Sequence, residues 1–392
     1  MQKHNVMLLD MQDEKAMHKE FENISVSKEA WAILAAKARM ITLKLSNIAV
    51  EDAGVMKQEM ISCGGDVAVH GLAWNFGVKQ SDVIIMGTPT EFQLFCEKLR
   101  LQHKSLKAIA EEVDGALYNL SKGLVWHCSE HRFNLKGKVL IMGVLNLSED
   151  SFFKGSRRLT TADAVETALT MQKLGADVLD IGGEATNKDA KELSAEEELK
   201  RICPVLEKLV GKLKIPISID TYKAEVAKKA LEMGASIINN VFASRLDDEM
   251  WNLWANSDCG IVLMDNKQHD GVIDSLNRSF DNMLARAKDF GIDKERISID
   301  PGLGLSFGKR PDDNFEIIKN LRSFGVHGVP ILIGASRKSF ICSNLNVTPD
   351  EALQGTLVFN TLALGNGAKI LRVHDVGPAK QLAKIYEKYA GW

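Results

Sequence analysis

The stretch I-M-G-V-L-N-L-S-E-D-S-F-F, residues 141–153, changes from apolar to polar within a few positions. Residues 139–144 form an apolar run, and Asn146 opens the polar segment that follows. A buried strand that stops in polar residues places amides, hydroxyls and carboxylates at its carboxyl end, where parallel α/β folds bind their ligands. The stretch therefore predicts one strand of a buried parallel sheet with a ligand site at its end.

The same pattern recurs downstream, with amphipathic helical segments such as 162–174 and 195–212 between the apolar runs. Eight strands over residues 138–374 amount to roughly 30 residues per unit, which favours a (β/α)8 barrel over a doubly wound sheet. The predicted strands are 139–144, 178–181, 217–219, 237–239, 261–264, 297–299, 331–333 and 368–373.

The first 135 residues have a different pattern. Residues 28–40 have helical periodicity, Gly64-Gly65 indicates a turn, and 82–86 is a buried-strand candidate. We therefore predict a smaller mixed α/β domain of unknown role over residues 1–135, followed by the barrel over residues 136–392.

Charge and composition exclude several classes of partner. The net charge is −3 and the chain has no long basic run, so we expect no nucleic-acid or membrane-surface binding. No stretch approaches 18 apolar residues, and the first 20 residues lack the apolar core of a signal peptide. The six cysteines lie outside metal-ligand spacing, which is typical of a reducing compartment, so we expect a cytoplasmic protein.

The polar strand ends have two kinds of chemistry. The carboxylates and amide of Asp220, Asn239 and Asp300 offer paired donors and acceptors suited to the edge of a heterocycle. Residues 336–338 (S-R-K) and 372–374 (R-V-H) supply positive charge suited to phosphate or pyrophosphate. Together they indicate transfer chemistry with an anionic leaving group.

These residues lie in motifs that resemble dihydropteroate synthase over about residues 136–390. The motifs lie at predicted strand ends, and their order along the chain is that of the family. They are M-G-V-L-N-L-S-E-D-S-F (142–152), D-I-G-G-E-A-T (180–186), S-I-D-T (218–221), I-I-N-N-V (237–241), D-P-G-L-G (300–304), G-A-S-R-K (334–338), G-T (355–356) and I-L-R-V-H-D-V (370–376). The first 135 residues resemble the extension carried by some longer members.

The resemblance implies that p-aminobenzoate displaces pyrophosphate from 6-hydroxymethyl-7,8-dihydropterin pyrophosphate, with Mg²⁺ as cofactor, in a homodimer. It assigns pterin binding to Asp220, Asn239, Met264, Asp300, Gly334 and Lys338. It assigns pyrophosphate binding to Asn146, Arg372 and His374, with Asn146 also holding the metal. It assigns the aminobenzoate site to Thr186, Ser336 and Lys338. The residues that it implies for catalysis are Asn146, Asp220, Asp300, Lys338, Arg372 and His374.

The chain departs from the family in the loops. The second loop reads Ala185-Thr186-Asn187-Lys188 where the family has S-T-R-P-G, so an arginine is missing. Asn240 replaces an aspartate, and strand five continues Met264-Asp265-Asn266 instead of M-H-M. Besides a dihydropteroate synthase, two alternatives stay open: a pterin-binding relative with another acceptor or reaction, such as pterin-linked methyl transfer, and a non-catalytic pterin-binding protein.

Overall fold

The computed structural model describes residues 9, 14–147, 160–184, 192–242, 246–267, 271–304 and 309–391. The chain divides into two compact units, Met1–Tyr118 and Asn119–Trp392. None of the helices built from the described residues is long and apolar enough to cross a membrane.

The first unit packs helices on a three-stranded antiparallel sheet. Its strand order is β1-β3-β2, and side chains of β3 alternate between buried and exposed, as expected for a sheet with one covered face. Phe92 and Phe95 of α4 lie in its core with Met56 and Met60 of α3. The elements are α1 (Glu14–Asn23), α2 (Lys28–Ala38), β1 (Ile41–Ala49), α3 (Val50–Cys63), β2 (Asp66–Ala68), β3 (Gln80–Gly87), α4 (Pro89–Leu99) and α5 (Lys104–Ser121).

The second unit is the predicted (β/α)8 barrel. Among the described residues, eight parallel strands form one sheet in the order β11-β10-β9-β8-β7-β6-β13-β12. A parallel bridge between Ile299 and Ile331 closes the two ends. The barrel strands are β6 (Leu140–Asn146), β7 (Val178–Gly182), β8 (Ile217–Asp220), β9 (Ile237–Asn240), β10 (Gly260–Met264), β11 (Ile297–Asp300), β12 (Leu332–Ile333) and β13 (Ile370–Val373). Two further strands, β4 (Val125–Cys128) and β5 (His131–Asn134), form a separate antiparallel pair.

The helices cover the outside of this barrel, and apolar side chains fill the space between strands and helices. Strands β7 and β10 are buried at every residue, which explains their continuous apolar sequence. The helices are α6 (Thr161–Leu174), α7 (Ala195–Leu209), α8 (Ala224–Glu232), α9 (Asp248–Ala255), α10 (Val272–Asp289), α11 (Pro311–Lys319), α12 (Ser339–Leu345), α13 (Leu353–Gly365) and α14 (Val376–Tyr389).

The β4–β5 hairpin closes the amino-terminal end of the barrel. Trp126 is fully buried among inward-facing side chains such as Leu140 and Val262, and its Nε1 donates to the Arg296 carbonyl oxygen at 3.1 Å. Because this hairpin packs into the barrel, the second compact unit includes residues that precede the predicted domain boundary at residue 135. The opposite, carboxyl-terminal end of the strands is left for a ligand.

Candidate active site

The strand register brings predicted site residues together at the carboxyl-terminal rim. Asn146 pairs with Gly182 across β6 and β7, Gly182 pairs with Asp220, and Asp220 pairs with Asn239. Farther round the barrel, Met264 pairs with Asp300. Asn146 and Asn239 are 93 positions apart in the chain. They nevertheless lie at the same level of the four neighbouring strands β6 to β9, as the barrel architecture requires.

Arg372 lies at the centre of a buried ion-pair cluster. Its Nε donates to Asp180 Oδ2 at 2.6 Å, and its Nη2 donates to Asp220 Oδ2 at 2.6 Å. Asp180 also accepts from Ser218 Oγ at 2.6 Å and from Asn239 Nδ2 at 3.1 Å. The predicted pterin binder Asp220 thus contacts the predicted pyrophosphate binder directly, and Asn239 is connected to it through the Asp180 carboxylate.

Asp180 lies inside β7, within the strand predicted over residues 178–181, and its side chain is fully buried. Sequence reasoning placed this residue in a strand but did not include it among the site residues. The available signal was a charged residue inside an otherwise apolar strand. A buried carboxylate needs a partner, and at this level of the barrel the partner is Arg372.

The electrostatics of this cluster follow from burial. Burial raises the pKa of Asp220 to about 7, although the Arg372 guanidinium opposes the increase. Burial alone would lower the pKa of Arg372, but the carboxylates of Asp180 and Asp220 outweigh it and raise the pKa. The guanidinium therefore stays charged, while Asp220 titrates near neutral pH.

Asp300 and Lys338 form the next part of the site. Asp300 Oδ1 accepts from the Gly302 backbone N–H at 2.8 Å, and Lys338 Nζ donates to the Leu303 carbonyl oxygen. Burial raises the pKa of Asp300, and the Lys338 ammonium opposes this. Burial lowers the pKa of Lys338 to about 8, with Asp300 opposing. The carboxylate and the ammonium therefore each favour the charged form of the other, against the effect of burial.

His374 and Ser336 contact each other at the end of β13. The Ser336 hydroxyl lies 3.2 Å from the His374 backbone N and 3.1 Å from its Nδ1. Burial and the nearby Arg372 charge lower the pKa of His374 to about 4, so its imidazole is neutral at pH 7. Arg337, whose charge was expected to serve an anion, instead forms a bidentate ion pair with Asp375 at 2.7 and 2.8 Å.

The remaining predicted residues complete the walls. Met264 is buried in a small apolar cluster with Val241 and Phe242. A Cβ built on Gly334 would lie 3.9 Å from Arg372 Cβ and 3.9 Å from Asp300 Oδ2, so this glycine borders both charged groups. Thr186 lies outside the described residues.

Both described ends of the divergent second loop are tied to one dipeptide. Lys223 forms ion pairs with Glu184, where the described chain stops before the loop, and with the buried Glu198 at 2.6 Å. The Tyr222 hydroxyl donates to Glu192, where the description resumes, at 2.7 Å. Sequence reasoning did not select these residues, because their significance depends on contacts across 25 to 39 positions.

The protein oxygens at this rim suit a metal ion that takes most of its ligands from substrate and water. In the described parts of the chain, no three His, Cys, Asp or Glu side chains come together to hold a metal ion. Asn146 Oδ1 lies 3.2 Å from a Cβ built on Gly182, close to the Asp220 side chain. One amide oxygen fits Mg²⁺, which usually keeps several waters and binds through substrate phosphates and one or two protein oxygens.

Known proteins are similar to this chain over the residues that form the barrel and its site. The sequence profile of the family described as "Pterin binding enzyme" matches residues 142–374, more than half of the chain. The dihydropteroate synthase of Bacillus subtilis (strain 168) is 36% identical over 275 residues, which cover 69% of this chain and 96% of that protein. This chain belongs to the dihydropteroate synthase family.

One longer relative of this synthase family matches more of the chain. A probable bifunctional folylpolyglutamate synthase/dihydropteroate synthase of Halobacterium salinarum is 36% identical over 345 residues, covering 84% of this chain and 41% of that protein. Because 84% of the chain exceeds the barrel unit, the similarity continues into the first unit.

Solved structures of dihydropteroate synthases share the fold. The Xanthomonas albilineans enzyme with 4-aminobenzoic acid has a TM-score of 0.63 and 36% identity, covering 68% of this chain and 98% of its own. The enzyme of the same organism in complex with 7,8-dihydropteroate has a TM-score of 0.60 and 32% identity, covering 68% and 99%. The predicted fold class and family are therefore confirmed.

Proposed function

We propose that this dihydropteroate synthase condenses 6-hydroxymethyl-7,8-dihydropterin pyrophosphate with p-aminobenzoate, forming 7,8-dihydropteroate and pyrophosphate. The observation that carries the proposal is the arrangement of the buried Asp220 and Asp300 with the partly buried Lys338 and Arg372 at the barrel rim. The first three suit a neutral heterocycle, and the guanidinium suits an anion.

The pterin end of the substrate binds at the buried carboxylates. Asp220 and Asp300 accept hydrogen bonds from the ring N–H and amino groups, while Asn239 and Lys338 contact the remaining polar atoms. Met264 and Gly334 line the slot. In a site this deeply buried, pairing with the ligand satisfies carboxylates that would otherwise be poorly solvated, so recognition is specific as well as favourable.

The pyrophosphate end binds at Arg372, His374 and Asn146. Arg372 is charged at every physiological pH, and the neutral His374 donates one hydrogen bond. Mg²⁺, held by Asn146 with the pyrophosphate, would neutralise part of the leaving group's charge. Ser336 and Lys338 would contact p-aminobenzoate, and the resemblance also assigns Thr186, which is outside the described residues, to this subsite.

The reaction is a substitution at C9 of the pterin. The amine nitrogen of p-aminobenzoate forms a bond to C9, the C9–O bond breaks, and pyrophosphate leaves with the electron pair. The amine then releases one proton to solvent. Arg372 and His374 stabilise the charge that develops on the departing oxygen, which lowers the barrier without a dedicated base. The carboxylates near the pterin stabilise the positive charge that develops on carbon.

We also propose a homodimer formed through α13. Its exposed face includes Val358 and Leu362, which are both more than half exposed. Phe315 of α11 packs on Phe359 and is itself partly exposed. Large apolar side chains exposed together are often covered by a partner. Light scattering after size exclusion should give a dimer, and Leu362→Glu, unlike Glu225→Lys on α8, should give a monomer.

We propose that the protein works in the cytosol. All six cysteines are free, and Cys96, Cys128, Cys259 and Cys342 are buried. Free buried thiols are typical of a reducing compartment. Fractionation of cells that express the native protein would test this.

A turnover assay tests the proposed reaction. The purified protein, Mg²⁺, dihydropterin pyrophosphate and p-aminobenzoate are mixed, and dihydropteroate and pyrophosphate are measured. Equal amounts of both products at about one turnover per second or more would support the proposal. Pterin binding without product would contradict it and would favour a relative with a different acceptor.

A further inference from the structure

The buried pair of Lys309 and Asp265 lies directly behind Asp300. Lys309 Nζ is 3.2 Å from Asp265 Oδ1, and both side chains are almost inaccessible to solvent, at 0% and 2% exposure. The ammonium also donates to the Lys267 carbonyl oxygen at 2.7 Å. Asp265 is one of the positions where the sequence departs from the family pattern.

Both carboxylate oxygens of Asp265 accept further hydrogen bonds. Its Oδ2 accepts from Ser279 Oγ of α10 at 2.5 Å, and its Oδ1 accepts from the Lys267 backbone N–H at 3.1 Å. Burial lowers the pKa of Lys309, and Asp265 opposes the shift. A buried pair with several additional hydrogen bonds fixes the position of both chain segments that carry it.

The backbone of Asp265 continues this network to the pterin site. Its N–H donates to the Asp300 carbonyl oxygen at 3.0 Å. Its carbonyl oxygen packs against Gly302, where an added Cβ would lie only 1.9 Å away. The Gly302 N–H in turn donates to Asp300 Oδ1. The Asp265 backbone therefore contacts both the main chain of Asp300 and the turn that holds the Asp300 carboxylate.

We infer that Asp265 and Lys309 are positioning residues for the pterin ring. The pair connects the loop after β11 to the end of β10 and thereby sets the orientation of Asp300. Neither residue would contact the substrate itself. The inference rests on the proposed function for its substrate, but its core claim concerns pterin binding alone.

The test compares Lys309→Met, Asp265→Asn and the double variant with wild type. The control is Lys380→Met, which breaks an ion pair with Asp177 at 2.8 Å beside the opposite end of β7. Calorimetry with 6-hydroxymethyl-7,8-dihydropterin, which lacks pyrophosphate, measures the pterin end alone. Steady-state assays give KM for each substrate, and thermal unfolding identifies variants that do not fold.

We expect the dissociation constant for this pterin and the KM for the pterin pyrophosphate to rise by at least about tenfold in both single variants. The KM for p-aminobenzoate should stay within about twofold of wild type in both single variants. In the control variant, the dissociation constant and both KM values should stay within the same range. Folded variants with unchanged pterin affinity, or an equal rise in both KM values, would overturn the inference. If Lys309→Met does not fold, Asp265→Asn decides.

The two proposals fail in different ways. A wild-type protein that binds the pterin but makes no dihydropteroate would contradict the proposed reaction. Weaker pterin binding by the variants would still support the positioning role in that case. An active wild type with unaffected variants would contradict the positioning role alone.

Discussion

Arg372 and Asp180 form an ion pair inside the barrel, with 2.6 Å between Nε and Oδ2. Asp180 is on the second strand of the barrel and Arg372 on the eighth, and β6 lies between them in the sheet. The same guanidinium also binds Asp220, so one arginine holds two carboxylates at the level where the ligand enters. In the proposed function, the pyrophosphate would therefore approach a cation that is already oriented.

Asp180→Ala should destabilise the protein by about 1–3 kcal/mol, because it leaves a partly buried guanidinium with one of its two carboxylates and leaves the buried Ser218 without its acceptor. Urea unfolding measures the change. Glu196→Ala, which removes the exposed partner of Lys200, is the control and should leave the unfolding midpoint where it is. Equal midpoints for the two variants would contradict the importance of the cluster.

Arg372→Ala should move the pH dependence of pterin binding upward. Burial raises the pKa of Asp220 to about 7, and the guanidinium limits that increase, so its removal raises the pKa further. If the carboxylate binds the pterin, affinity increases with pH as Asp220 ionises. The half-point should shift from near pH 7 to a higher value, measured by calorimetry between about pH 5.5 and pH 8.5. A curve that stays in place would argue against Asp220 as a pterin ligand.

His374→Ala should weaken pyrophosphate binding by about tenfold or more, the value of one hydrogen bond to a charged group. Because the pKa of His374 is lowered to about 4, the imidazole donates as a neutral group at pH 7. His374→Asn, a neutral donor, should therefore retain more affinity than the alanine variant. Competition by pyrophosphate in the turnover assay gives both values. Equal losses would show that the imidazole acts in another way.

Gly302→Ala should abolish pterin binding or prevent folding. Gly302 has φ +68°, and an added Cβ would meet the Asp265 carbonyl oxygen at 1.9 Å, so the turn that orients Asp300 has to move. Gly291→Ala is the matched control, with φ +74° and no atom within 4 Å. It should cost only the left-handed backbone penalty of about 1–2 kcal/mol. Thermal unfolding and pterin calorimetry distinguish the two effects.

The fold and the family could be predicted from sequence because both depend on local patterns. An apolar run such as 139–144 that ends at Asn146 specifies a buried strand and its polar end, and eight repeats specify a barrel. The parallel register then follows, so Asn146, Asp220 and Asn239 had to meet at one rim. The roles assigned to these residues stay predictions.

Only the tertiary structure decided which charged groups pair. Arg337 and Arg372 both lie in motifs at strand ends, yet Arg337 is bound to Asp375 and Arg372 to Asp180. In the sequence, Asp265 is only a departure from a family pattern. In the structure, it forms a buried ion pair with Lys309. Ion pairing depends on distances between segments that are far apart in the chain, and local periodicity carries no information about them.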